Sequence, residues 1–265
     1  MITFRRDHGI KVIFYPDNQP HIQLEEPIMP RKDRDVRLVW PICSSQNLVE
    51  LLLIADALEA KGYTRQSLYI PYLMGARSDR HMVPGDSFDL RQIARIINLA
   101  GFKSVEILEP HSDVAIGLIN GSRAVHSADI QREYRTLGAS SVIIIPDEGM
   151  KHRIYDWPSK SGVTYCTCTK SRDLATGHIT LEVNEPKLCA GKPCVIIDDL
   201  CDGGGTFIKI AEQIIPSSLT LIVTHGIFSK GVKPLFRAGI DMIITTDSYP
   251  SVAWHPCRLI RYCVT

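Results

Sequence analysis

Short apolar runs alternate with longer stretches of helical periodicity along most of this chain. Residues 36–42, 67–72 and 105–108 read as buried strands, and two helix patterns, 47–60 and 86–100, lie between them. The first helix is built from strong helix formers (LVELLLIADALEA) and stops at Gly62, and the second closes at Gly101. The pattern then starts again. Residues 142–145 are all β-branched, and further runs follow at 165–170, 195–197, 219–224 and 242–245. After the run at 195–197, Ile208, Ala211, Ile214 and Ile215 stand at helical spacing. Strands alternating with helices predict parallel sheets covered on both faces. Residues 1–30 alternate apolar and polar positions up to a turn signal at Pro16-Asp17-Asn18, and residues 75–85 read as a polar loop. The two halves share an architecture without a visible sequence repeat. They predict two α/β domains with a boundary near residues 125–140, drawn as 1–130 and 131–265.

Length and charge narrow the function classes. At 265 residues the chain can bury a substantial core. The net charge is +1 and no Lys/Arg-rich run stands out, so bulk charge gives no reason to expect nucleic acid or an anionic membrane as partner. No apolar run approaches the ~20 residues that span a bilayer. The opening MITFRRDHGIKVIFYP lacks the apolar stretch of a signal peptide, and the expected location is cytoplasmic. The eight cysteines are scattered, and Cys43, Cys166, Cys168, Cys194 and Cys263 lie in or beside apolar runs, as buried free thiols do. Cys166 and Cys168 would share one face of a strand, but no second pair at metal-ligand spacing accompanies them.

In open parallel sheets, ligands bind beyond the carboxyl ends of the strands. Here those ends carry Arg77 and Asp79, His111, Asp147, Lys170 and Arg172, Asp198 and Asp199, and His225. The run CVIIDDLCDGGGTF is the most informative. An apolar strand leads to the carboxylates Asp198 and Asp199, then through Asp202, Gly203, Gly204 and Gly205 to Thr206 and a helix. Glycines let backbone N–H groups approach an anion with no Cβ in the way. Paired carboxylates can hold ribose hydroxyls or a divalent cation. This stretch resembles the phosphoribosyl-pyrophosphate loop shared by phosphoribosyltransferases and ribose-phosphate diphosphokinases.

Six segments in order are similar to the ribose-phosphate diphosphokinase family, over about residues 12–250. YIPYLMGARSDR resembles the family's strand and nucleotide loop, and EPHSD the segment whose His helps to hold the magnesium–nucleotide. PDEGMKHR resembles the segment near ribose and metal, and TKSR the catalytic Lys-x-Arg. IDDLCDGGGT resembles the ribose 5-phosphate loop, and VTHGIFSKG the family's THGIFS segment. Three segments depart from the family pattern. Tyr15-Pro16-Asp17-Asn18-Gln19 stands for Phe-x-Asp-Gly-Glu, Ser78 for a Gln after Ala-Arg, and Gly203 for a Thr in the phosphate loop.

The resemblance implies two phosphoribosyltransferase-like domains, each a mostly parallel sheet flanked by helices. It implies transfer of the β,γ-diphosphoryl group of ATP to the anomeric hydroxyl of ribose 5-phosphate, with Mg2+ as cofactor. Lys170 and Arg172 would be catalytic, the lysine as a point charge and the arginine as a planar fork against the migrating group. Tyr15, Asp17, Gln19, Arg77, Ser78, Asp79 and His111 would bind ATP. Asp147, Asp198, Asp199, Asp202, Gly203, Gly204, Gly205 and Thr206 would bind the ribose phosphate, with His111 and Asp147 near the metal. The family shares its nucleotide site across an interface, which implies a homodimer or higher homo-oligomer. Two other readings stay open: the same chemistry on ADP-ribose, and a non-catalytic regulatory paralogue. Gly203 bears on the first, because losing the threonine side chain would free space beside the 5-phosphate.

Overall fold

The computed structural model describes residues 1–6, 8–25, 35–154, 156–172, 179–250 and 259–262. They form two compact units, Met1–His126 and Ser127–Val264. No helix among the described residues is long and apolar enough to cross a membrane.

The first unit runs β1 (Ile2–Arg5), β2 (Ile10–Phe14), β3 (Pro20–Leu24), β4 (Asp35–Val39), α1 (Ser45–Ala60), β5 (Thr64–Ile70), α2 (Asp89–Leu99), β6 (Ser104–Leu108), α3 (Val114–Leu118) and β7 (Ser122–Val125). Its parallel sheet has the order β1-β4-β5-β6-β7, and β2 and β3 form a separate antiparallel hairpin. Alternate strand residues (Val36, Leu38, Leu68, Ile70, Val105, Ile107) meet Leu51, Ile54 and Leu58 of α1 and Leu90, Ile93 and Ile97 of α2 in one core. Each such side chain contributes about 1.5–3 kcal/mol by leaving water. The intervening residues carry charge. Glu106 accepts from Arg37 at 3.0 Å and pairs with Arg123, while Arg37 lies 5.3 Å over the Tyr69 ring. Helix α1 starts at a reciprocal cap, Ser44 accepting from the Asn47 N–H and Asn47 from the Ser44 N–H. Both helix ends expected from glycine are present, Gly62 at φ 72° and Gly101 at φ 67°.

One polar residue of α1 is fully covered. Glu50 accepts from Gln46 Nε2 at 2.7 Å, from Asn47 Nδ2 at 2.9 Å and from Arg6 Nη2 at 3.3 Å. These donors compensate a carboxylate that burial would otherwise penalise.

The second unit comprises α4 (Ala128–Gly138), β8 (Val142–Ile145), α5 (Glu148–Ile154), α6 (Asp156–Ser161), β9 (Tyr165–Arg172), β10 (Ile179–Val183), a 3-10 turn (Pro186–Cys189), β11 (Pro193–Cys201), α7 (Gly205–Ala211), β12 (Ser218–Gly226), α8 (Lys233–Arg237), β13 (Met242–Thr246) and β14 (Leu259–Tyr262). The sheet order is β10-β9-β8-β11-β12-β13-β14, parallel except for β10. Cores lie on both faces. Ile144, Ile196 and Leu221 pack with α7 and α8, and Ile143, Val195 and Ile222 pack with α4 and α5.

Two expectations are corrected here. The helix after the glycine loop stops at Ala211, and Ile215 is 81% exposed, although Ile214 is buried. Pro216 keeps the residue before it, Ile215, out of the helical region. The strand expected to end at Lys170 instead continues to Arg172 as an antiparallel ribbon with β10. Polar cross-strand contacts hold it: Thr169 donates to Asn184 Oδ1 at 2.8 Å, and Asn184 Nδ2 to Thr167 at 2.7 Å.

The free cysteines described are Cys43, half-buried, and Cys166, Cys168, Cys189, Cys194 and Cys201, all buried. Burial pushes the Cys43 and Cys168 thiols up to about 12, so both remain protonated. Cys263 lies outside the described residues.

Candidate active site

The strand order of the second unit turns between β8 and β11: β9 and β10 lie beyond β8, and β12 to β14 beyond β11. Such a turning point opens a crevice at the carboxyl ends of the two strands. The register sets Ile196 opposite Ile144, so β8 ends while β11 runs on through Asp198 and Asp199 to Cys201. The acidic pair therefore lies within a strand rather than at its end, and projects past its shorter neighbour. Asp147, directly after β8, caps α5 by accepting the Met150 N–H at 3.0 Å. Asp198 accepts the Asp199 N–H at 2.9 Å, and Asp199 is 7% exposed. Burial, and then repulsion from Asp199 and Asp147, push the Asp198 carboxyl well above the usual carboxylate range. A cation or donating hydroxyls beside Asp198 would relieve that repulsion.

Beyond β11 the chain turns through the glycine loop. Gly204 has φ 77°, and a Cβ there would lie 2.8 Å from Leu235 Cδ2, so both backbone and packing call for glycine. The Ile208 N–H donates to its carbonyl at 3.0 Å, starting α7. A Cβ on Gly205 would meet nothing within 4 Å, and Thr206 follows it, half-buried. At Gly203 a Cβ would stand 3.4 Å from Lys230 Cε and 3.5 Å from Cδ. The space expected beside Gly203 is thus lined by the lysine stem, and the γ atoms of a threonine would have to share it. Asp202 holds the turn after β12 by accepting the Ser229 N–H at 3.2 Å.

Lys170 is exposed and stands opposite Leu181 in the ribbon, and Arg172 stands opposite Ile179. The Arg172 side chain lies outside the described residues. His225 does not face an open crevice. It is 3% exposed, with Nδ1 2.8 Å from Ser248 Oγ, and Ser248 also bonds the Thr224 carbonyl at 3.3 Å. It braces the ends of β12 and β13.

In the first unit, the loop after β5 carries Arg77, Ser78 and Asp79. Gly75, at φ 76°, turns this loop close against Ile93 of α2, and the Ser78 carbonyl accepts the Leu90 N–H at 3.2 Å. Asp79 accepts two bonds from Arg80, at 2.6 and 3.0 Å, and one from Ser112 Oγ at 2.7 Å. The Arg80 bond and then, against the penalty of burial, the Ser112 bond bring its carboxyl down to about 2. Ser112 adjoins His111, so this contact joins the loops after β5 and β6. Glu109 takes a left-handed φ of 39° just before Pro110-His111 and faces His126 Nδ1 at 2.9 Å. That bend leaves His111 exposed. Tyr15, Asp17 and Gln19 form the exposed tip of the β2–β3 hairpin, where the Gln19 N–H donates to Asp17 at 3.1 Å. Within the first unit, the hydrogen bonds described join Asp79 to Ser112 but not to the hairpin tip.

Sequence reasoning passed over Ser112 and Lys230. Both stood in segments already singled out, EPHSD and VTHGIFSKG, but only the folded loops show which residues they touch.

Residues 8–101 match the family model of the N-terminal domain of ribose phosphate pyrophosphokinase. The chain is similar to the ribose-phosphate pyrophosphokinase of Aeropyrum pernix, 24% identical over 97% of this chain and 86% of that protein. It is also similar to that of Xylella fastidiosa, 29% identical over 93% of this chain and 79% of that protein. Among solved structures it resembles the phosphoribosylpyrophosphate synthetase of Mycobacterium smegmatis, with a TM-score of 0.77. That likeness covers 96% of this chain and 85% of that one, at 19% identity.

Proposed function

Because this chain belongs to the ribose-phosphate pyrophosphokinase family, we propose that it transfers the β,γ-diphosphoryl group of ATP to ribose 5-phosphate, giving phosphoribosyl pyrophosphate and AMP. The observation that carries this reading is the convergence of Asp147, Asp198 and Asp199 at the sheet's turning point, beside a loop that must be glycine at Gly204.

The anomeric oxygen attacks the β-phosphorus, the bond to the α-phosphate bridging oxygen breaks, AMP leaves, and the hydroxyl proton is released. Such transfers ask the protein for in-line positioning and charge neutralisation. Asp198 and Asp199 accept from ribose hydroxyls. Asp202 to Thr206 cradle the 5-phosphate. Lys170 and Arg172 counter the charge of the migrating group.

The nucleotide falls to the first unit, to Arg77, Ser78, Asp79 and His111. Tyr15, Asp17 and Gln19 on the exposed hairpin tip serve the adenine side, supplied by a neighbouring subunit in a homo-oligomer. Magnesium, when bound with ATP, neutralises phosphate charge, and His111 and Asp147 are the side chains assigned near it. No group of three His, Cys, Asp or Glu among the described residues is arranged to hold a metal alone.

The test is AMP release from ATP and magnesium with ribose 5-phosphate, with ADP-ribose, and without acceptor. AMP formed with ribose 5-phosphate is the expected result. No AMP with either acceptor would overturn the reading, and AMP with ADP-ribose alone would move the acceptor to the larger molecule.

A further inference from the structure

We infer that Lys230 determines acceptor specificity, binding the terminal phosphate in place of the hydroxyl that Gly203 lacks. This rests on the diphosphoryl-transfer reading above.

The turn that carries Lys230 is fastened to the glycine loop. The Cys201 carbonyl accepts from the N–H groups of Ile227 at 2.9 Å and Phe228 at 3.1 Å, and Asp202 accepts from Ser229 at 3.2 Å. Phe228 takes a left-handed φ of 49°, which folds the chain back, and its ring closes over Gly226, where a Cβ would lie 2.2 Å away. The lysine stem then runs along Gly203, its Cε, Cδ and Cγ at 3.4, 3.5 and 3.8 Å from the Cβ position. The ammonium is bonded to the nearest of these carbons. It is therefore delivered to the edge of the loop while the residue stays exposed. No ion pair or hydrogen bond engages Lys230 among the described residues, so its charge is available to a ligand.

Gly203 and Lys230 fit as a pair. A side chain branching at position 203 would crowd the stem, and glycine lets it lie flat against the loop. An ammonium is a compact charge with three donors on a flexible stem. It favours a phosphate monoester, with two charges and three free terminal oxygens, over a diester with one charge. The pair thus selects ribose 5-phosphate against an acceptor whose 5-phosphate continues into a second nucleotide.

Lys230→Met keeps the stem and removes the charge, and Lys230→Arg keeps the charge. Calorimetric titration with ribose 5-phosphate, without ATP, should show affinity falling about 10- to 100-fold in Lys230→Met, the loss expected for a bond to a charged group. Most of it should return in Lys230→Arg, with ribose binding and melting temperature unchanged. In turnover the loss should appear in KM rather than kcat, and preference over ADP-ribose should shrink. Unchanged affinity in Lys230→Met overturns the inference. A wild type that binds ribose 5-phosphate through Lys230 yet releases no AMP would sustain it and sink the transfer reading. A wild type that binds no ribose 5-phosphate sinks both.

Discussion

Gly204 and Gly205 are neighbours in one loop, but the structure gives them different reasons to be glycine. Gly204→Ala places a Cβ on a residue at φ 77°, which costs about 1–2 kcal/mol for an L-residue. It also sets that Cβ 2.8 Å from Leu235 Cδ2 in a packed core, and overpacking adds about 1–3 kcal/mol. The sum, roughly 2–5 kcal/mol, should lower Tm by several degrees or more. Gly205→Ala meets no atom within 4 Å and needs no left-handed backbone. At the first residue of α7 it should change stability by less than about 1 kcal/mol, in the favourable direction. It should nonetheless raise KM for ribose 5-phosphate, because the added methyl enters the space assigned to the 5-phosphate. Urea unfolding followed by circular dichroism, with acceptor KM measured on the same preparations, separates the two. Gly204→Ala within about 0.5 kcal/mol of wild type would refute the conformational account. A large stability loss in Gly205→Ala would show that the fold, and not the ligand, requires that glycine.

Lys170→Ala should cut kcat about 100-fold or more with little change in ribose 5-phosphate affinity, since its charge acts mainly on the transition state; near-normal turnover would remove it from the mechanism. Glu50→Ala should destabilise by about 2–4 kcal/mol, because Gln46 and Asn47 lose a fully buried acceptor; urea unfolding checks it, and a loss under about 1 kcal/mol would mean that water replaces the carboxylate. Asp79 contributes stability through a lowered carboxyl, present above the ordinary value of 3.8, fading as pH falls and gone below about 2. The stability curves of wild type and Asp79→Asn should therefore approach each other between pH 4 and 2, and a constant gap over that window would contradict the assignment.

The parts of this molecule specified by local chemistry were readable in advance. The all-β-branched run 142–145 is a strand from end to end, and glycines stop α1 and α2 where left-handed residues are needed. Tertiary effects were not readable. Ile214 and Ile215 continue a helical spacing, yet the helix closes at Ala211 and the chain turns toward β12. Strand β10 (ITLEV) alternates apolar and polar positions as a half-buried strand does, and this pattern was there to be read; its antiparallel pairing with β9 comes from the sheet order. Asp198 and Asp199 announced a site by their type and place, whereas Asp147 joins them through sheet order, which periodicity does not encode. His225 shared the strand-end logic of the others and yet is buried, since Ser248 arrives from β13 to cover it. Lys230 resembled any loop lysine until its stem was seen along Gly203.

The β8–β11 pairing also has a consequence for how such a chain can change. Asp147 and the Asp198-Asp199 pair are set side by side by the hydrogen bonds of two adjacent parallel strands, although β9, β10 and the 3-10 turn intervene in the sequence. The intervening chain leaves the sheet's turning point and comes back to it. Insertions, deletions or exchanges at the outer end of the β9–β10 ribbon can lengthen, shorten or recharge it while the carboxylates keep their separation. The ribbon also bears Lys170, so the charge proposed for catalysis and the grip proposed for the acceptor belong to segments that mutation can revise independently.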